Sequence, residues 1–248
     1  MKKVLCFFII FILFIVVVHG EFIIDGELSR VSGGYCDVRI PGDTGNMISL
    51  TDDLEMDNFF TFRIEMIKEW GRNKIILLYS PLRVNSKGNI NRGIFFNTEL
   101  FNDGESVKSF YKFDSYRISY QYDILKRDNF EIGLGLTAKI RNAEIKLENS
   151  SLNKISSKKN TGFVPIINFN FKYTPSEKLN ILIKGDGLAS SQGRAFDIFT
   201  GLYYKINEIY SLKTGYRFLE GGSDNEEVYS FSYFHYLVFG FKINLSKI

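Results

Sequence analysis

The chain has 248 residues and a formal net charge of +3, with charged residues at 24% and aromatics at 16%. So small a charge, with no clustered basic surface, does not fit a nucleic-acid partner. Two cysteines without metal-ligand spacing fit neither a disulfide framework nor a zinc centre.

Residues 1–20, "MKKVLCFFIIFILFIVVVHG", carry two lysines, an apolar run from Val4 to Val18, then His19 and Gly20. This is the layout of a secretory signal peptide, with cleavage expected after Gly20. The run is short for a spanning helix, which needs about 20 apolar residues. Cleavage leaves residues 21–248 as one domain and removes Lys2 and Lys3, taking the net charge from +3 to +1. Cys6 leaves with the signal, so Cys36 has no partner for an internal disulfide.

From there the chain reads as strands. A first strand is expected near Phe22–Ile40. Phe60, Phe62, Ile64 and Met66 then alternate with Thr61, Arg63 and Glu65. The segment Lys74–Val84 is apolar on both faces. Tyr116, Ile118, Tyr120, Tyr122 and Ile124 alternate with Ser115, Arg117, Ser119, Gln121 and Asp123. The same period of two recurs over 131–141, 167–173, 179–186, 197–205, 212–218 and 233–245. Period two marks strands, and no helical spacing interrupts it. The count is ten strands, with eight or twelve as the alternatives.

The connections set the topology. "EWGRN", "LKRDN", "TPSEK" and "INEI" are short turns. They alternate with longer polar connections at Pro41–Asp57, Asn85–Val107, Glu148–Asn160 and Glu220–Val228, and with the short Ala189–Gly193. Short turns at one end and long loops at the other describe a transmembrane antiparallel up-and-down β-barrel in a bacterial outer membrane. The tyrosine-rich face then touches lipid, with tyrosines in the interfacial girdles. The charged face looks inward. A secreted soluble barrel would show the same alternation turned inside out, but the signal peptide, the aromatic load and the loop asymmetry favour the membrane.

The chain resembles a widespread family of bacterial outer-membrane β-barrel proteins. The resemblance rests on "DVRIPGDTG" with "SLTDDL", on "FDSYRISYQYD", "GLTAKIRNAEI" and "GFVPIINF", and on "EGGSDNEEVYSFSYFHY". It implies an outer-membrane barrel and transfers no activity. Its expected surroundings are outer-membrane lipid and lipopolysaccharide. The alternating end "FGFKINLSKI" is of the kind that the barrel assembly machinery reads.

The expected lumen carries Arg63, Arg117, Lys139, Arg141, Lys184, Lys213 and Arg217 against Asp25, Glu27, Glu65, Asp123, Asp186 and Asp197. Charges inside so narrow a barrel must be paired. About eight strands leave an interior just filled by side chains, whereas open porins use sixteen or more. The favoured function is therefore a filled, salt-bridged, non-enzymatic barrel without a cofactor. The partner expected for Arg117 is Glu65 or Asp186, reached across the lumen. The alternatives are a narrow channel or a barrel for an unidentified small molecule or lipid, and, further behind, a hydrolase. Omptin-type proteases pair acids with a histidine at the outer rim, and barrel-wall lipid hydrolases use a His–Ser pair. Once the signal is removed, the one histidine is His235, whose parity points it to lipid. The acidic loop residues Asp52, Asp53, Glu55 and Asp57, with Asp224, Glu226 and Glu227, read as a solvated surface. The alternative for them is a weak divalent-cation site.

Overall fold

The structure is a computed structural model that describes residues 20–248. The expected signal peptide lies outside them, Gly20 excepted. β1 (Glu21–Arg39) is followed by two short loop pairings, β2 (Ile48–Ser49) and β3 (Glu55–Met56), and then by β4 (Phe59–Trp70). β5 (Asn73–Ser80) and β6 (Arg83–Asn89) are two halves of one barrel strand, and both pair with β9 (Ser106–Arg127). The ladder breaks at Pro81–Leu82, where proline has no N–H to donate. A small hairpin, β7 (Ile94–Phe96) and β8 (Glu99–Phe101), lies between β6 and β9. The barrel continues through β10 (Phe130–Asn149), β11 (Lys154–Ser176), β12 (Leu179–Ser190), β13 (Gly193–Lys205), β14 (Tyr210–Asp224) and β15 (Tyr229–Asn244).

Each barrel strand pairs antiparallel with its neighbours, and β15 closes onto β1 from Ile23↔Asn244 to Arg39↔Tyr229. The result is a closed ten-stranded barrel, as the period-two segments lead one to expect. The short turns lie at one end. In the first, Gly71 takes a left-handed φ of 58°, which glycine adopts without steric cost.

The outward set is apolar and exposed. Leu136 is 72% exposed and Phe60 70%, in company with Ile118, Tyr120, Ile183, Leu237 and Phe239. An apolar belt of this extent has no place in water and matches the lipid-facing band of a membrane barrel. Tyr122, Tyr173, Tyr204 and Tyr210 lie toward the turn end, and Tyr116 and Phe163 toward the loop end, at girdle positions.

Two features differ from the sequence reading. The stretches expected as loops, Asn85–Val107 and Glu148–Asn160, are largely strand: β6 reaches Asn89, β9 starts at Ser106, β10 reaches Asn149 and β11 starts at Lys154. The alternation inverts where the barrel leaves the membrane. On β10, Ile140 is the last outward apolar residue. Above it the outward side carries Glu144 and Glu148, and the inward side carries the buried Ile145 and Leu147. This upper part is built like a soluble barrel, apolar inside. Val31, Val38, Ile40, Ile48, Leu50 and Leu54 pack there with Leu82, Val84, Ile94, Phe96, Phe101 and Val107 in one dry cluster. The loops after β1 and β6 are thereby folded into the mouth of the barrel. The second difference is at the C-terminus, where Leu245–Lys247 form a 3₁₀ turn after β15 ends at Asn244.

Candidate functional site: the charged lumen

The inward residues at mid-height form one connected set of ion pairs. On β1 and β4, Asp25 lies directly opposite Glu65. On β12 and β13, Asp186 lies directly opposite Asp197. Carboxylates opposed in this way repel each other, and each pair is bridged by a cation reaching in from elsewhere on the wall. Lys184 Nζ contacts Asp25 at 3.1 Å and Glu65 at 2.9 Å. The fork of Arg117 spans the other pair, with Nη1 at 2.6 Å from Asp186 and Nη2 at 2.6 Å from Asp197. A planar guanidinium is suited to holding two carboxylates at once.

Asp197 is the hub. Besides Arg117 it accepts from Arg63 at 2.8 Å and from Arg217 at 2.6 Å. Arg63 also holds Glu65 at 3.1 Å, and Arg217 holds Glu27 at 2.7 Å. Lys213 joins Asp25 at 3.0 Å and also contacts Glu27. The Tyr203 hydroxyl donates to Asp25. Neutral groups fill the remaining acceptor positions: Thr137 donates to Asp186 at 2.6 Å, Asn168 donates to Asp186 at 3.0 Å, and Gln121 donates to Asn168 at 2.6 Å. Five cations (Arg63, Arg117, Lys184, Lys213, Arg217) thus meet five carboxylates (Asp25, Glu27, Glu65, Asp186, Asp197). Burial of so many charges is tolerable only with pairing this complete.

Below this layer, toward the short turns, Asp123 faces Lys74 at 3.1 Å. Lys74 also approaches Glu131, which pairs with Lys172. Asp123 therefore belongs to a separate cluster at the short-turn end and not to the mid-height set. A cavity of about 150 Å³ lies between the two, bounded by Glu65, Lys74, Gln121, Asn168 and Lys184.

Above the layer, two residues expected in the network are not in it. Lys139 is buried and has no carboxylate within ion-pairing distance among the described residues. Arg141 reaches only the side-chain oxygen of Asn160, at 2.8 Å, and its Nε has no partner. Both lie over the ring of Phe113. They border a vestibule of about 450 Å³ that opens toward the loops.

Inward aromatics escape the sequence reading. Phe199, Tyr203, Phe234 and Tyr236 are all buried inside. Phe199 lies flat across Gly201 and Gly215, where a Cβ would collide with its ring at 2.4 and 2.8 Å. It offers its face to Lys213 at 4.7 Å and to Arg217 at 5.4 Å, a favourable cation–π arrangement. The inward glycines Gly201 of β13 and Gly215 of β14 are the signal that room was left for a ring. His235 is on the outer face, bonded through Nδ1 to the Tyr216 hydroxyl at 2.6 Å. It makes no hydrogen bond to a carboxylate or to Ser32, the residue opposite it in the β1–β15 ladder. In the acidic loops, Asp53 is clamped by Arg92 at 2.7 Å and Glu227 by Lys158 at 2.9 Å. No group of three metal-ligating side chains occurs among the described residues.

The architecture is that of bacterial outer-membrane β-barrels, and the apolar belt places the chain in a membrane of that kind. No protein-family model and no curated protein sequence matches the chain. Among solved structures it is similar to the outer membrane protease OmpT from Escherichia coli, at a TM-score of 0.57 and 10% identity, covering 91% of this chain and 97% of that one. It is also similar to Neisserial surface protein A, at 0.39 and 13%, covering 90% and 97%. OprG from Pseudomonas aeruginosa gives 0.38 and 12%, covering 90% and 96%. At these identities the likeness is one of fold alone.

Proposed function

We propose that this protein is a non-enzymatic outer-membrane barrel whose lumen is a permanent salt-bridged plug, and that it serves as a rigid, non-conducting wall element carrying a folded extracellular cap. The convergence of Arg63, Arg117 and Arg217 on Asp197 carries this reading. Three guanidiniums from β4, β9 and β14 meet on one carboxylate of β13, so the centre of the cross-section is spanned by side chains. Ions or solutes could pass only by breaking several buried pairs at once. The loops that fold into the mouth add an apolar layer above this. The non-enzymatic part of the reading is supported by His235, which sits on the outer face away from every carboxylate of the lumen.

The test is osmotic swelling of proteoliposomes in small sugars, beside a true porin, together with protease and lipid-hydrolysis assays on the same sample. The expected result is no swelling above protein-free vesicles and no turnover. Swelling that falls with sugar size would replace the plug by a passage, and turnover would replace the wall element by an enzyme.

A further inference from the structure

The wall of the barrel is incomplete on one side. β11 and β12 are hydrogen-bonded from Ser176↔Leu179 only as far as Ile167↔Gly187. Beyond that level β11 runs on to Lys154 paired in the sheet with β10 alone, and β12 runs on to Ser190 paired with β13 alone. A seam therefore opens between Val164–Ile166 and Leu188–Ser190. The vestibule is lined by both of its lips. The seam's height follows from register: Lys139 is opposite Val164, and Ile140 is opposite Phe163. Ile140 and Phe163 point outward and are 50% and 67% exposed. The seam thus lies at the loop-side edge of the apolar belt, where lipid headgroups begin.

Directly inside the seam stand the two cations that the network does not use. Arg117 and Lys139 are opposed across β9 and β10, a juxtaposition of like charges equivalent to the two carboxylate pairs described above. Those pairs are each bridged by an opposite charge. Here Arg117 is taken up by Asp186 and Asp197, and Lys139 is left, 3% exposed, with no hydrogen-bond acceptor among the described residues. Its Nζ lies 4.9 Å from the Phe113 ring centre, and the Arg141 guanidinium lies 5.7 Å from the same ring. Arg141 keeps its Nε unfilled. The carboxylates on the vestibule floor, Asp186 and Asp197, already hold three cationic or neutral donors each. Two neighbouring cations with free donors and no acid constitute an incomplete ion cluster. The missing member is an anion.

We propose that Lys139 and Arg141 form a receptor for a phosphate-type oxyanion in the vestibule, reached through the β11–β12 seam or from the open loop side. A phosphate offers acceptors on all sides, as an ammonium and a guanidinium edge standing two residues apart on one strand face require. The group arrives either on the headgroup of an outer-leaflet lipid, through the seam, or on a soluble phosphate from above.

The test uses the mature chain folded in a maltoside detergent, which carries no phosphate, with the heat-dependent gel shift as the check of folding. The unfolding midpoint is followed in two titrations. One adds inorganic phosphate at constant ionic strength against chloride. The other adds phosphatidic acid to the micelles against phosphatidylcholine. The expected result is a saturable rise in at least one arm. In that arm the pair Lys139→Met with Arg141→Met should raise the half-saturating concentration at least tenfold. A rise in the phosphate arm assigns a soluble ligand, and a rise confined to phosphatidic acid assigns the lipid headgroup. Should the double variant not show the gel shift, Lys139→Gln and Arg141→Gln are taken singly, each expected to weaken saturation at least threefold. No saturation in either arm, or equal saturation in wild type and variants, overturns the proposal.

Discussion

Replacing Asp197 by alanine removes the one carboxylate shared by three guanidiniums. Its bonds are 2.8 Å to Arg63, 2.6 Å to Arg117 and 2.6 Å to Arg217. Each arginine keeps a second acid: Glu65, Asp186 and Glu27 respectively. The mid-height set then changes from five cations against five carboxylates to five against four, and one buried positive charge stands uncompensated. Removing one partner from a buried pair costs about 3–5 kcal/mol, most of it the desolvation of the charge left behind. The retained second acids hold the loss to that range and prevent a threefold sum. With a urea slope of about 3 kcal/mol per molar, the upper end for a small protein, the unfolding midpoint should fall by roughly 1–1.7 M. The assay is urea unfolding in detergent micelles, read from the gel band that distinguishes folded from unfolded barrel. Tyr116→Phe is the comparison. It lies on the lipid face at 45% exposure, and its expected effect is within about 0.5 kcal/mol. A midpoint for Asp197→Ala indistinguishable from that of Tyr116→Phe would refute the reasoning. The lumen would then be wet enough to solvate its own charges.

Arg117→Ala should lose stability comparably, about 3–5 kcal/mol, because it exposes the opposed carboxylates Asp186 and Asp197 to each other; an unchanged urea midpoint would contradict this. Leu136→Arg, at the most exposed outward position of β10, should cost about 2–4 kcal/mol in a bilayer, whereas an exposed leucine on a soluble barrel would tolerate the change within about 0.5 kcal/mol. Acid should loosen the extracellular cap. Glu105 is held at 2.6 Å by Lys154 and also by Asn149 and Asn102, and the Lys154 bond leads the effects that bring its pKa down to about 2. A depressed carboxylate pKa stabilises above the unfolded value near 4.5 and is lost as pH falls from there toward 2. Pepsin cleavage within residues 97–105 should therefore rise between pH 4.5 and 2.5, and Glu105→Gln should be cut readily at both; a flat profile in the wild type would exclude this clasp.

Most of the barrel was legible from period two alone, because the membrane imposes it. Wherever a strand divides lipid from a charged interior, as in Tyr116–Ile124, the two faces differ so sharply that parity gives the side of every residue. Parity alone puts Arg117 on the inner wall with Glu65 or Asp186 as its partner, and the structure pairs it with Asp186. Parity carries no depth, so it could not separate Asp123, near the short turns, from the mid-height set. It also could not show that Lys139 lies one step above the last available carboxylate. The strands beyond the membrane were hidden for a different reason. Around Ile140 the alternation changes sense, since water replaces lipid outside and apolar packing replaces charge inside. Over 233–236 of β15 both faces are aromatic, with Tyr233 and His235 outside and Phe234 and Tyr236 inside, so the contrast is weak in that stretch. The bulge between Gly33 and Tyr35 shifts the parity of β1, which is why that strand shows no clean face over its full length.

The central claim is that the lumen is sealed at mid-height. Planar-bilayer recording of the folded mature protein tests it most directly, with a true porin in the same membrane system as the positive control. The account predicts no steady conductance steps from the wild-type barrel under applied voltage in either orientation. Reproducible, long-lived steps that depend on the amount of folded protein would contradict it.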